Sequence, residues 1–334
     1  MTWDGTFILR RRGQVFSMAS ATARRSILFW NTNQAWTDAF TSGPHRYLVA
    51  VNSEEGGTEG RVEEIPVRWL RDEDVDLVVL QNQDELELTA RWLGHRPGTD
   101  VSAVYVEHNA PQPFAADSLH PLGGRDDIPI VHITDFNQVM WNNGSAPSSV
   151  ITPAMADPGY LFTGDVPAAA SIIDEPLRRL RDTGADLLVE LGRHAAIDVW
   201  GVNSEPLTDK FRQVARVRGK GHLPRPRLLS QLARRRVYVH PARWTSLDVG
   251  LIEAMYVGLP IVAFASTMAS TLIPPEAGVV SADVRTLELA TEAFVVDYGA
   301  AAAAGKAARD YAVAHFALER FLAEWDAVIA ELAP

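Results

Sequence analysis

Glu253 is a carboxylate inside an apolar segment, VGLIEAM, which follows a short apolar run predicted to be a strand. The loop between them holds Thr245, Ser246 and Asp248, three residue types that cap helices well, so the sequence predicts a helix beginning here. A helix N-terminus carries free N–H groups and partial positive charge, which suits a diphosphate. A carboxylate in the first turns can accept hydrogen bonds from both hydroxyls of a ribose. The alternative is a glutamate on the solvent-exposed face of an amphipathic helix.

A second group of polar residues follows another predicted strand. His108 and Asn109 come directly after the run SAVYVE, and polar residues in that place are poorly suited to a core. Side chains alternate along a strand, so Glu107 and His108 should point in opposite directions. If His108 faces a ligand cleft, Glu107 points away from it. The alternative for His108 is a purely structural histidine at the end of a strand.

Basic residues form a third group. Arginine makes up 28 of the 31 basic residues, which reflects genome composition or the recognition of phosphate by planar guanidinium groups. Arg178 and Arg181 lie where a second domain is expected to begin, and charge-assisted pairing suits a diphosphate. Lys220 and His222 lie in a Gly/Pro-rich segment predicted to be a loop. The alternative for the two arginines is a solvated helix face.

Composition restricts the class of protein. A chain of 334 residues with 47% hydrophobic content can bury full cores and favours two domains over one. The net charge of -11 argues against a general binder of nucleic acid or anionic membranes. Such a charge still permits a local basic cleft for a phosphorylated small molecule, and peripheral contact with a membrane is left open.

The N-terminus and the cysteine content bear on location. The first clear strand begins at Ser26, so residues 1–25 are expected to form a frayed arm, with Met18 as an alternative start. This arm has no apolar run long enough for a signal peptide, and no segment of the sequence is predicted to cross a membrane. The absence of cysteine removes disulfides, thiolate nucleophiles and cysteine-bound zinc. The cytoplasm is therefore the expected location.

Short apolar runs separated by polar or helix-like stretches occupy the first half of the chain. This alternation predicts a parallel sheet with crossover helices. The runs are SILFW from Ser26, RYLVAV from Arg46, VDLVVL from Val75, SAVYVE from Ser102 and IPIVHI from Ile128.

The second half repeats the alternation after residues 142–170, a Gly-, Pro-, Ser- and Asn-rich segment that predicts an interdomain linker. The fold class is therefore predicted as α/β, with two Rossmann-like domains whose parallel sheets face one another across a cleft. Predicted elements are helices over 184–194 and 205–215, strands over 195–201 and 236–240, the Glu253 helix, strands over 259–265 and 278–281, and helices from 284 to 332.

The segment TSLDVGLIEAMYVGLPIVA resembles the donor-site motif of the family-4 retaining glycosyltransferases, which have the GT-B fold. In that motif a loop glutamate follows a strand, and a second glutamate lies in the next helix before an Ala-Met or Ala-Leu pair, a glycine, a proline and an apolar strand. The second part is matched closely here, by Glu253, Ala254, Met255, Gly258 and Pro260. The resemblance in architecture extends over about residues 26–332, and only this block is specific.

The resemblance implies that Glu253 binds the ribose hydroxyls of a nucleotide-sugar. Thr245 replaces the first glutamate, at a position that contacts the donor sugar in the family, and Asp248 is expected to supply a carboxylate there. His108 corresponds to an active-site histidine that would donate a hydrogen bond to a sugar hydroxyl. The expected catalytic residues are His108, Asn109, Thr245 and Asp248, and the expected donor-binding residues are Arg178, Arg181, Lys220, His222, Ser246, Gly250, Leu251 and Glu253.

The reaction implied is transfer of a hexose-type sugar from a nucleoside diphosphate to a sugar, lipid-linked or small-molecule acceptor, with retention of anomeric configuration. Family members need no metal or other cofactor, because arginines and a helix N-terminus stabilise the departing diphosphate. Two other functions stay open. A nucleotide-sugar epimerase of the same fold would need groups placed for proton transfer, and the loss of the first glutamate is compatible with a catalytically weak binding protein.

The C-terminus predicts contact between the two halves of the chain. Residues 317–332 place Leu318, Phe321, Trp325 and Ile329 at helical spacing, so this helix needs an apolar partner. In the GT-B fold the last helix commonly crosses back to the N-terminal domain, and we therefore expect Trp325 to contact that domain. The expected divisions are an acceptor domain over 26–150, a nucleotide-sugar domain over 151–305 and terminal helices over 306–334.

Overall fold

The computed structural model describes residues 23–334, so residues 1–22 of the predicted N-terminal arm lie outside the described residues. Within residues 23–334, the first sheet has the strand order β3-β4-β2-β1-β5-β6-β7-β8. Its neighbouring strands are parallel except for β3, which is antiparallel to β4. The strands are β1 (Ser26–Phe29), β2 (Arg46–Val51), β3 (Thr58–Glu59), β4 (Val62–Pro66), β5 (Leu77–Leu80), β6 (Ser102–Glu107), β7 (Ile130–His132) and β8 (Ser148–Val150).

The second sheet is parallel throughout its described strands, in the order β11-β10-β9-β12-β13-β14. The two parallel sheets make this an α/β protein with two Rossmann-like halves, as predicted. Its strands are β9 (Ala169–Ile172), β10 (Ile197–Trp200), β11 (Val217–Gly221), β12 (Val237–His240), β13 (Ile261–Phe264) and β14 (Gly278–Ser281).

Helices cover both faces of each sheet, and no helix among the described residues is long and apolar enough to cross a membrane. The helices are α1 (Gln34–Phe40), α2 (Asp84–Trp92), α3 (Asp135–Met140), α4 (Leu188–Leu191), α5 (Leu207–Phe211), α6 (Arg225–Ala233), α7 (Val249–Val257), α8 (Ala269–Leu272), α9 (Val284–Val296), α10 (Tyr298–His315) and α11 (Leu318–Leu332). The predicted division after residue 305 falls inside α10.

Strand alternation explains how each apolar run fills two cores. In β1, Ile27 and Phe29 pack on one face of the first sheet, whereas Leu28 packs on the other. In β12, Val237 and Val239 lie on the opposite face from Tyr238. Because both faces are covered, these strands are apolar throughout rather than alternately apolar and polar.

The last helix packs against the first sheet. Trp325 of α11 is buried, with its ring centroid 5.7 Å from that of Trp36 and 5.1 Å from that of Phe40. His45 Nε2 lies 3.2 Å from a carboxylate oxygen of Asp326. The contact expected between Trp325 and the N-terminal half of the chain is therefore present.

Three strands of the structure lie where the sequence predicted a linker or a loop. Edge strand β8 lies inside residues 142–170, which were predicted to be a linker, central strand β9 begins at the end of that segment, and β11 lies where a loop was expected. The physical reason is close packing of small residues. β9 reads AASI between two neighbouring strands, and a Cβ at Gly219 of β11 would overlap the Ser204 carbonyl oxygen. Small residues allow neighbouring backbone segments to approach closely, but they lack the large apolar side chains whose pattern predicts a strand.

Candidate active site

The carboxyl ends of the two sheets meet at three neighbouring cavities. The polar cavity, of about 420 Å³, lies at the ends of β9 and β12 and the start of α7. The Glu253 cavity, of about 320 Å³, lies between α1, α6 and α7. A narrow cavity of about 30 Å³ contains His108 and shares Asn33 and Val249 with the polar cavity and Met155 with the Glu253 cavity. An extended ligand could contact residues of all three.

Glu253 is a buried carboxylate that contacts the guanidinium of Arg225. Its side chain is 1% exposed, Arg225 Nε contacts Oε1, and Oε2 accepts no hydrogen bond from the described residues. Burial raises the pKa of Glu253 to about 7, while the Arg225 charge opposes this rise. Every residue of α7 from Gly250 to Val257 is buried, so the alternative of a solvent-exposed helix face is wrong.

The N-terminus of α7 is capped by the side chain of Asp248, so its first amides are not free. Asp248 Oδ1 accepts a hydrogen bond from the Gly250 amide at 2.8 Å, and its Oδ2 lies 3.2 Å from His240 Nδ1. The Leu251 amide donates to the Asp248 carbonyl oxygen at 3.1 Å. The amides of Gly250 and Leu251, which were expected to bind phosphate, are therefore already paired. Asp248 is therefore the helix cap, one of the three candidates in the sequence, and its carboxylate is not free in the way that its expected role beside the donor sugar assumed.

Gly250 lies in close packing at the start of α7. A Cβ at this position would lie 3.0 Å from both Ile172 Cδ1 and the Tyr238 hydroxyl oxygen. A side chain here would therefore require these two neighbours or α7 to shift by a few tenths of an ångström. The glycine keeps the start of the helix at the floor of the polar cavity.

His108 is held in one tautomer by Gln81. Gln81 Nε2 donates to the Trp30 carbonyl oxygen at 2.8 Å, which leaves Gln81 Oε1 to accept from His108 Nε2 at 2.8 Å. Burial lowers the pKa of His108 to about 4, so the ring is neutral near pH 7 and its Nδ1 is an acceptor. The sequence predicted a donor to a sugar hydroxyl, whereas this arrangement offers an acceptor.

Asn109 contributes to the site through its main chain. Its amide donates to Glu107 Oε1 at 2.6 Å, and its carbonyl oxygen accepts from Trp141 Nε1 at 2.9 Å and Asn137 Nδ2 at 3.1 Å. The side chain of Asn109 is exposed. Strand alternation assigned Glu107 to the side of the strand away from the cleft. From there its carboxylate binds the Asn109 amide and fixes the loop after His108.

The loop before α7 is bound to the first half of the chain. Ser246 Oγ accepts a hydrogen bond from Asn137 Nδ2 at 2.7 Å, and Trp244 Nε1 donates to the Pro111 carbonyl oxygen at 3.1 Å. Ser246 therefore makes an interdomain contact instead of the expected donor contact. Thr245 does line the polar cavity, as its predicted role near the donor sugar requires.

The basic residues are arranged differently from the prediction. Arg178 and Arg181 do not line the three cavities; Arg178 lies 3.7 Å from Glu175, and Arg181 lies 2.7 Å from Asp186. Arg179, between them, lines the polar cavity. Because all three arginines lie within four residues, the sequence could not show which one the turn directs inward.

Lys220 and His222 also lie away from the three cavities. Lys220 is part of β11 and lies 3.8 Å from the buried carboxylate of Asp198, and His222 is exposed in the loop that follows. Arg225, at the start of α6, is the basic residue that reaches Glu253. Pro224 and Pro226, on either side of Arg225, could have predicted the start of α6 from the sequence, since proline is typical of a helix start.

No protein-family model and no curated protein sequence matches the chain. Solved structures do match it. Sucrose-phosphate synthase from Thermosynechococcus elongatus is 13% identical with a TM-score of 0.70, covering 92% of this chain and 99% of its own. HepE from Anabaena, in complex with UDP, is 15% identical with a TM-score of 0.66 over 92% and 100%. WaaG, a glycosyltransferase of lipopolysaccharide biosynthesis, is 14% identical with a TM-score of 0.65 over 91% and 99%.

The fold is GT-B. In GT-B terms, the two parallel sheets are the two halves of the fold, and the three cavities lie where the carboxyl ends of their strands face each other. Crevices at this edge of parallel sheets are the usual ligand sites of α/β proteins. The GT-B fold thus places Glu253, Arg179 and His108 beside one cleft.

Proposed function

We propose that this protein is a glycosyltransferase that moves a sugar from a nucleoside diphosphate to an acceptor hydroxyl, with retention of anomeric configuration. The observation that carries the proposal is Glu253, a carboxylate 1% exposed at the wall of a cavity, whose Oε1 contacts Arg225 and whose Oε2 has no hydrogen bond from the described residues. A buried carboxylate oxygen without a partner is costly, and a vicinal diol supplies two donors. HepE, a structural neighbour, is in complex with UDP, which contains such a diol.

The cavities suggest how the donor lies. The nucleoside would occupy the Glu253 cavity, with its ribose on Glu253 and its base near Arg225. The diphosphate would face Arg179 in the polar cavity, and the sugar would lie near Thr245 and the narrow cavity that holds His108. Arg179 forms only a loose pair with Asp182, at 3.9 Å, so its guanidinium is available to a phosphate.

The chemical step needs no protein nucleophile. The bond between the anomeric carbon and the diphosphate oxygen breaks, and the acceptor oxygen forms a bond to that carbon from the same face. The acceptor proton passes to the departing phosphate oxygen. We propose that Arg179 stabilises the charge that develops on the diphosphate, and that His108 Nδ1 orients a sugar hydroxyl by accepting its hydrogen bond. On this proposal the reaction requires no metal ion.

A donor screen tests the proposal. A nucleotide-sugar present at a hundred times its dissociation constant should add about 2.7 kcal/mol to the free energy of unfolding. Glu253→Gln should weaken that donor about tenfold or more while the protein stays folded, because a hydrogen bond to a charged group contributes about 1.5–3 kcal/mol. Wild-type donor affinity in Glu253→Gln would contradict the ribose assignment.

The product distinguishes the reaction from its alternatives. A glycosyltransferase releases free nucleoside diphosphate and a new glycoside, whereas an epimerase returns an isomerised nucleotide-sugar. The anomeric proton of the product, read by NMR, should show the configuration of the donor. An inverted anomer would overturn the retaining part of the proposal and leave the glycosyltransferase assignment in place.

A further inference from the structure

A fourth cavity, the Trp30 cavity, lies at the carboxyl ends of β1, β2 and β5 and has a volume of about 440 Å³. One wall carries the half-buried indole of Trp30, and amide side chains add hydrogen-bonding groups. Three further lining residues are the carboxylates Glu64, Asp84 and Glu85. Among the described residues that line this cavity, none is lysine, arginine or histidine.

The charge of this cavity is not neutralised locally. Glu63, the residue before Glu64, is paired with Arg46 at 2.6 Å on the other side of β4. Within the described chain, no basic group lies within ion-pair distance of Glu64, Asp84 or Glu85. Glu85 is only 3% exposed, and its Oε2 accepts a hydrogen bond from the Gln81 amide at 2.6 Å. Glu64 and Asp84 are exposed, and a cavity lined by these two carboxylates and by no cation favours a ligand that carries a positive charge.

The Trp30 cavity is connected to the proposed reaction centre. Gln81 binds His108 through its side chain, and it also binds the Trp30 carbonyl oxygen and the Glu85 carboxylate. Thr32 lines the Trp30 cavity, while the next residue, Asn33, lines both the polar and the narrow cavities. A ligand in this cavity would therefore lie across one loop from the donor sugar.

We propose that the Trp30 cavity binds the acceptor, and that the acceptor is an amine-bearing polyol, such as an aminosugar, rather than a phosphorylated or carboxylated compound. This inference rests on the proposed glycosyltransferase function. An ammonium group would pair with the exposed carboxylates Glu64 and Asp84 and lie against the Trp30 ring, and the hydroxyls would bind the amide side chains. The amine stays protonated and unreacted, since an acceptor hydroxyl makes the new bond. Phosphate or carboxylate would be repelled by Glu64 and Asp84.

Three sugars that share a ring and differ in charge test the inference. Glucosamine, glucose and glucose 6-phosphate would be titrated into the full chain at low ionic strength by saturation-transfer NMR. We expect glucosamine to bind about tenfold more tightly than glucose, because two exposed ion pairs contribute up to about 1 kcal/mol each. Glucose 6-phosphate should bind more weakly than glucose. The preference for glucosamine should shrink as salt is added.

Variants assign the effect to the cavity. A Glu64→Gln and Asp84→Asn double variant should lose most of the glucosamine preference. Glu87→Gln, an exposed carboxylate on the same helix outside the cavity lining, should retain it. A preference for glucose 6-phosphate, a glucosamine preference unchanged in the double variant, or no binding of any of the three sugars would overturn the inference.

Nucleoside diphosphates titrated in the same samples separate this inference from the proposed function. A nucleotide that binds while glucosamine shows no preference would overturn the acceptor class alone. A glucosamine preference in a protein that binds no nucleoside diphosphate would overturn the proposed function and the acceptor role together, leaving only an amine-binding cavity.

Discussion

Asn137 Nδ2 donates a hydrogen bond to Ser246 Oγ at 2.7 Å, and this bond joins the two halves of the GT-B fold at the floor of the cleft. Both side chains are buried. The same Asn137 amide nitrogen donates to the Asn109 carbonyl oxygen, so one side chain contacts the loop after His108 and the loop before α7. The positions of the two loops are therefore coupled.

Removing this bond should destabilise the protein. Ser246→Ala is expected to lower the free energy of unfolding by about 1 kcal/mol, the net contribution of a typical buried hydrogen bond. Asn137→Ala should cost more, because it also leaves the Asn109 carbonyl oxygen with one partner fewer. Urea denaturation measures both. Ser230→Ala, an exposed serine of α6, is the matched control and should change stability by less than about 0.5 kcal/mol.

A double-mutant cycle decides whether the bond itself matters. The losses in Asn137→Ala and Ser246→Ala should be less than additive by about 0.5 kcal/mol or more, since the second substitution finds the bond already gone. Strictly additive losses would mean that the two residues stabilise the cleft independently.

The stability of the unliganded protein should fall between about pH 4.5 and pH 7 because of Glu253. Burial raises its pKa from 4.5 to about 7, so the folded protein holds a proton that the unfolded chain has released. The stabilising contribution is complete below pH 4.5 and is lost as pH rises toward 7, by at most about 3 kcal/mol. Urea denaturation at pH 5 and pH 7.5 measures the change.

Glu253→Gln removes this titration while retaining the shape of the side chain. Its free energy of unfolding, relative to wild type, should therefore increase over the same pH range. Glu85, whose pKa burial also raises to about 7, is present in both proteins and cancels in the difference. Equal pH profiles for wild type and Glu253→Gln would show that Glu253 is ionised at the pH of an ordinary carboxylate.

His108→Ala should lower kcat more than it weakens nucleotide binding. His108 lines the narrow cavity and not the Glu253 cavity, so its loss should change the nucleotide dissociation constant less than about twofold. The loss of a hydrogen bond that strengthens in the transition state should reduce kcat by about 5- to 100-fold. His95→Ala, at an exposed position, is the control. Unchanged turnover in His108→Ala would leave that histidine a structural role only.

Arg179→Ala should weaken a nucleoside diphosphate and leave the parent nucleoside unaffected. The guanidinium lines the polar cavity, and a charge-assisted hydrogen bond to phosphate contributes about 1.5–3 kcal/mol, or roughly tenfold to a hundredfold in affinity. Isothermal titration with UDP and uridine measures the difference. Arg178→Ala and Arg181→Ala are adjacent controls of identical chemistry and should alter UDP affinity little. A larger loss in Arg181→Ala would restore the assignment made from sequence.

The amino-acid sequence by itself determined the α/β class, the strands with continuous apolar runs, the helix that carries Glu253 and the helix that carries Trp325. These features depend on local composition and on periodicity, which a chain expresses without reference to distant residues. The apolar stripe of α11 required a partner, and Trp36 and Phe40 supply it.

Only the tertiary structure decided which polar groups are free to bind a ligand. Asp248 and the amides of Gly250 and Leu251 had the right chemistry, but they bond to one another or to His240. Ser246 is bound to Asn137, 109 residues away along the chain. Arg179 has the same chemistry as Arg178 and Arg181, but of the three it is the one that lines the polar cavity. The reason is that hydrogen-bond partners and burial depend on contacts between distant segments, and these leave no local pattern in the sequence.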